Sequence, residues 1–202
     1  MSSLLEIPVH CRVKVSTYLL LVLAVASAAA PALAQSPPVS PPLRPGAVAA
    51  LDVALYTAGA NLQEASDTGR AALATSVLRG KLAELLGPAL ADSAAVARRL
   101  SDPRIRQIAG DQACYVIVAC ARAVGRDLNA DWVVMAKVSK TSNLIWLLTG
   151  QLINVATGEI VMDDSTELKG DPEVMVRAGV RIFAERVART VKERASGQHA
   201  ER

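Results

Sequence analysis

Apolar residues along this chain change their spacing several times, and each change marks an element. Val48, Leu51, Val53, Leu55 and Tyr56, bounded by prolines on one side and Gly59-Ala60-Asn61 on the other, read as a short buried strand. After a polar stretch from Gln63 to Gly69 the period lengthens. Leu73, Val77, Leu78, Leu82, Leu85 and Leu86 recur on one helical face, which predicts a helix over 70–86 that Gly87-Pro88 stops. A second short strand is expected near Ala91. A short helix carrying Ile105 and Ile108 then starts from a Ser101 or Asp102 cap.

From Cys120 to Leu128 the pattern is again helical, and Asn129 stands where a helix ends on a left-handed residue. The period then becomes that of strands. Residues 131–140 hold a nearly continuous run, Trp132 to Met135 with Val138, as in a sheet covered on both faces. Residues 143–156 place Ile145, Leu147, Ile153 and Val155 on one face and Trp146, Leu148 and Leu152 on the other. Thr157-Gly158 turns the chain into an antiparallel partner over 159–168, with Ile160, Val161 and Met162. A last helix over 172–194 buries Val176, Val180, Phe183, Val187 and Val191 and turns its arginines outward. The order β-α-β-α-β-β-β-α predicts an α/β fold, a mixed sheet of about five strands packed against helices.

The N-terminal pattern is of another kind. Arg12 and Lys14 precede an apolar run from Tyr18 to Ala30, followed by Pro31-Ala32-Leu33-Ala34: a basic region, a stretch short for a span, and small residues at Ala32 and Ala34. Residues 1–34 therefore read as a signal peptide cleaved after Ala34, leaving no membrane span. Five prolines between Gln35 and Pro45 favour extended polyproline, so 35–46 reads as a linker. One α/β domain is expected over 47–195, and 196–202 as a disordered tail.

Composition narrows the function. The 202 residues are 51% hydrophobic, 20% charged and 3% aromatic, enough to build a core. The formal charge of +3 falls slightly further once Glu6, Arg12 and Lys14 are removed, and a near-neutral chain lacks the overall footprint of a nucleic-acid or anionic-lipid binder. Beyond the signal the only histidine is His199, in the polar tail. Ser-His-Asp or Cys-His catalysis and imidazole-bound zinc are thereby excluded from the folded part. Neither a phosphate-binding glycine loop nor a calcium loop occurs, and no cofactor is expected.

Cys114 and Cys120 remain after cleavage, and an exported protein meets an oxidising compartment, so a disulfide is expected. Were 114–120 one strand its ends would lie about 20 Å apart, against at most about 7 Å between bridged α-carbons. A redox-active pair is the alternative, although the spacing is not C-x-x-C. Asp163 and Asp164, adjacent in a strand, point to opposite faces and cannot share a substrate. Lys137, Lys140, Thr141, Ser142 and Asn143 form the densest polar run between two apolar strands. It reads as a turn, with Lys137, Lys140, Ser142 and Asn143 as candidate partner-binding residues. A ligand or substrate cleft near Lys140 and Asn143 is the rival reading.

The run Cys120-Ala121-Arg122-Ala123-Val124-Gly125-Arg126-Asp127-Leu128-Asn129-Ala130-Asp131-Trp132-Val133, with Lys140-Thr141-Ser142-Asn143-Leu144-Ile145 and Val155-Ala156-Thr157-Gly158-Glu159-Ile160-Val161, resembles a family of secreted proteobacterial proteins of unknown function. The resemblance extends through Gly170 to Gly179 and covers the chain from about Val48. This sequence departs from the pattern in having Asn129 for glycine, Val176 where an aromatic is usual, and a wider gap between its cysteines. More distantly the layout is similar to the N-terminal domain of the Tol-Pal translocation protein and to curli-secretion-type envelope proteins. The resemblance implies a periplasmic, non-catalytic binding or accessory module of the cell envelope whose partner is an envelope protein, though fold alone does not fix function.

Overall fold

In the computed structural model, residues 42–57, 64–110, 114–142 and 144–200 are described. The signal segment, most of the linker and Asn143 lie outside these residues. Three long strands form the centre: β3 (Trp132–Lys140), β4 (Ile145–Asn154) and β5 (Ile160–Lys169), antiparallel in sequence. Two short strands, β1 (Val48–Ala50) and β2 (Ala54–Thr57), lie parallel to β3 along its other edge, completing the expected mixed five-stranded sheet. The single strand expected over 48–56 is thus divided. Ala50 pairs with Val134 and Ala54 with Lys137, four steps against three, so the first strand carries one residue too many and leaves the ladder between them. There the Val53 N–H donates to the Thr75 hydroxyl, and Asp52 pairs with Arg79 at 3.0 Å.

Five helices cover the sheet: α1 (Ala65–Leu86), α2 (Ser93–Leu100), α3 (Pro103–Ala109), α4 (Val118–Asp127) and α5 (Pro172–Ala200). One sheet face packs against α1 and α5 in a core that includes Val134, Val138, Trp146, Leu148, Leu78, Leu82, Phe183 and Val187. On the other face Val133, Met135, Ile153 and Val155 meet α2, α3 and α4 through Val96, Ile105, Cys120 and Val124. Several boundaries differ from the sequence reading. The strand expected near Ala91 is a single bridge between Val48 and Leu90, because Asp92 at once caps α2 by accepting the Ala95 N–H. α1 begins five residues before Arg70, held by Asp67, and α5 continues past Arg194 to Ala200, into the stretch read as a tail. Asn129 has φ +53°, the left-handed helix stop its position implied.

Candidate functional site

The three helices on the second face do not reach its whole length. Odd-numbered residues of β3 all point to that side. Val133 and Met135 are buried beneath helices, whereas Lys137 and Ser139 farther along the same row are half-buried. Their β4 partners follow suit: Ile153 is buried opposite Val133, but Gln151, Thr149 and Leu147, opposite Met135, Lys137 and Ser139, are half-buried. On β5 the same rows end at the exposed Asp163, Ser165 and Glu167. Tyr56 of β2, 57% exposed, borders the strip beside Ser139, with the Lys137 ammonium 5.6 Å from its ring centre. The outcome is a bare sheet surface, apolar at Tyr56 and Leu147 and polar between.

Where the helical cover stops, a cavity of about 210 Å³ opens between Val116 and the sheet, lined also by Met135, Lys137, Thr149, Gln151 and Asp163. Gln151 donates to Asp163 at 3.3 Å, and the Thr149 hydroxyl oxygen is buried without a partner. Asp164, one residue on, faces the opposite side and accepts two bonds from Arg186 of α5 at 2.7 and 2.9 Å. The two acids are separated as strand alternation requires. Among the described residues no group of three or more His, Cys, Asp or Glu is placed to hold a metal ion.

Of the four residues read as a partner-binding turn, Lys137 lies on this surface, and Ser142 closes the turn by accepting the Leu144 and Ile145 N–H groups. Leu144 at the turn is 72% exposed. Asn143 lies outside the described residues. Lys140 departs from the expectation, because its side chain is buried and turned to the α1 face, not displayed at the turn. It pairs with Asp67 at 3.2 Å and Glu64 at 3.0 Å, and lies 5.9 Å over the Trp146 ring. Asp67 is itself wholly buried, accepts the Glu64 N–H at 2.8 Å and also binds Arg70, so one carboxylate fixes the start of α1 to the end of β3. Burial alone would raise the Asp67 carboxyl, but the Glu64 N–H, Lys140 and Arg70 together hold it below its ordinary value. Burial works against the charge of Lys140 too, and is overcome by Glu64 and Asp67, which lift its pKa. The cavity at the strip lies on the sheet face opposite the Lys140 side chain, by Lys137.

Cys114 and Cys120 form the expected disulfide, with α-carbons 5.2 Å apart. A short 3-10 turn, Cys114–Val116, replaces the excluded strand and leads into α4. Both cysteines are buried, without the exposure that thiol exchange needs.

The profile of a family described as "Protein of unknown function (DUF2380)", named DUF3280, matches residues 46–187. The chain belongs to this family. The match spans α1 to α4, all five strands, the bare strip and the first part of α5, and includes every segment on which the sequence resemblance rests. No curated protein matches the sequence. Among solved structures, the chain is similar to the LpoB C-terminal domain from Salmonella enterica, at 23% identity and a TM-score of 0.43, covering 63% of this chain and 86% of that one. The LpoB C-terminal domain from Escherichia coli gives 24% identity and 0.42 over 67% and 88%. Lipoprotein GNA1162 from Neisseria meningitidis gives 12% and 0.41 over 62% and 81%. These are distant likenesses. Among the described residues no helix is long and apolar enough to cross a membrane.

Proposed function

We propose that this member of the family is a non-catalytic accessory module of the cell envelope. On this reading it is released into the periplasm by cleavage after Ala34 and works by binding an envelope protein through the bare strip of its sheet. One observation carries the reading: a single sheet face is sealed by helices at Val133 and Ile153 and left open at Lys137, Ser139, Leu147 and Thr149, with Tyr56 beside it. A half-apolar, half-polar surface on a rigid sheet is suited to a protein contact, because the fold has already fixed its side chains before binding. The signal-like layout of residues 1–34 supports the compartment.

The test is co-purification from the native envelope under mild crosslinking, comparing wild type with Lys137→Glu and Leu147→Glu. A stoichiometric partner lost in both variants is the expected result. A partner retained in both, or none with the wild type, overturns the reading. A second reading, a small-ligand cleft, is favoured by the cavity at Met135 and Gln151 and by the orphaned Thr149 hydroxyl. It predicts that a small molecule protects the Gln151 amide from hydrogen exchange.

A further inference from the structure

A near-neutral net charge conceals how the charges are distributed. The sequence Arg98-Arg99-Leu100-Ser101-Asp102-Pro103-Arg104-Ile105-Arg106 holds four arginines in nine residues, spread over the end of α2 and the start of α3. All four are exposed. Among the described residues only Arg104 of the four is ion-paired: Asp102 binds it at 2.8 Å and Asp127 of α4 stands 3.9 Å away. That pairing, with the Arg104 N–H and the nearby charge of Arg99, holds the Asp102 carboxyl at about 2. The acids near this patch are therefore engaged with Arg104, and among the described residues Arg98, Arg99 and Arg106 make no ion pair or side-chain hydrogen bond. On β5, Asp164 and Glu167 each have a basic partner, whereas Asp163 is bound only by the Gln151 amide.

Unpaired guanidinium groups are the side chains best suited to phosphate, through paired N–H donors in a planar fork. We propose that the α2–α3 surface, through Arg98, Arg99 and Arg106, docks on the phosphate-bearing headgroups of an anionic lipid surface. The proposal rests on the envelope location proposed above and uses other residues than the protein-binding strip, on the helices that cover the rest of the same sheet face. Three basic side chains at an anionic surface correspond to roughly a hundred-fold in membrane affinity, screened by salt.

The experiment is sedimentation of the mature chain with vesicles of phosphatidylglycerol and phosphatidylcholine, against vesicles of phosphatidylcholine alone, at low and high salt. Binding to the anionic vesicles only is expected. It should fall at least ten-fold in Arg98→Glu/Arg99→Glu/Arg106→Glu, persist in the triple lysine variant, and persist in Arg181→Glu/Arg189→Glu on α5. Circular dichroism of each variant separates lost binding from lost folding. Equal loss in the α5 variant would show a diffuse charge effect and overturn the assignment. Absence of vesicle binding overturns it as well, and if inorganic phosphate still shifts the amide resonances of residues 98–106 the source is a free anion. Failure on vesicles with the co-purified protein partner retained would sink the lipid contact and leave the accessory-module reading standing.

Discussion

At the scale of single residues, the most consequential group is Asp67, a buried carboxylate serving a helix start, two cations and a strand end at once. Removing one partner from a buried ion cluster leaves uncompensated charge, so Asp67→Ala is expected to destabilise the fold by about 3 kcal/mol in urea unfolding. The pH dependence follows from the two shifts. Asp67 titrates lower in the folded chain, so its contribution is present above about pH 4 and is lost as the pH falls through its folded value. Lys140 titrates higher, so its contribution is present below about pH 10 and is lost as the pH rises through its folded value. Unfolding midpoints measured from pH 3 to 9 should be level from about 5 upward and drop on acidification, with a smaller drop in Asp67→Asn. The position of Lys140 was readable in part. Even-numbered residues of β3 point to the α1 and α5 core, as Val134, Ala136 and Val138 do, and Lys140 shares their parity. A charge at a strand end beside serine and asparagine outweighed that signal in the sequence reading, because its partners Glu64 and Asp67 come from a distant stretch that read as a loop.

At the scale of elements, long periodic segments were legible and short ones were not. β3 and α5 bury the residues that their alternation or helical stripe marks; β4 buries Trp146, Leu148, Leu152 and Ile153 but leaves Ile145 and Leu147 half-buried, and β5 leaves Ile160 exposed and Val161 and Met162 half-buried. α2 escaped because Ser93–Leu100 buries a single large residue, Val96, and is specified by the Asp92 cap instead of a stripe. Asp92→Ala should therefore cost about 1 kcal/mol, seen as loss of exchange protection confined to α2. Close packing of α5 on β4 depends on Gly150, where an added Cβ would stand 2.3 Å from the Phe183 ring. Gly150→Ala is expected to destabilise by about 1 to 3 kcal/mol, and Phe183→Leu in the same chain to recover part of the loss. The Cys114–Cys120 bridge closes a small loop, so its removal by Cys→Ser at both positions should cost only about 2 kcal/mol and chiefly loosen the entry to α4.

At the scale of the whole molecule, two sheet faces receive unequal cover: two long helices on one side, three short ones over part of the other. The sequence shows that inequality faintly. Leu147 and Ile145 stand in the same strand row as the buried Ile153, and apolar alternation alone does not reveal that the helices stop short of them. Nor does net charge reveal that Arg98, Arg99 and Arg106 stand without an ion pair among the described residues while Asp164 and Glu167 of β5 each have one. The molecule thus offers a bare sheet strip and, on its helical cover, a guanidinium patch. The central claim is that the strip is the protein-binding face. It is tested most directly by placing a photo-crosslinking residue at Leu147, at Ser139 and, on the outer face of α5, at Ala178, then irradiating intact envelopes. One discrete adduct is expected from positions 147 and 139 and none from 178. The same adduct from all three positions, or an adduct from 178 alone, would contradict it.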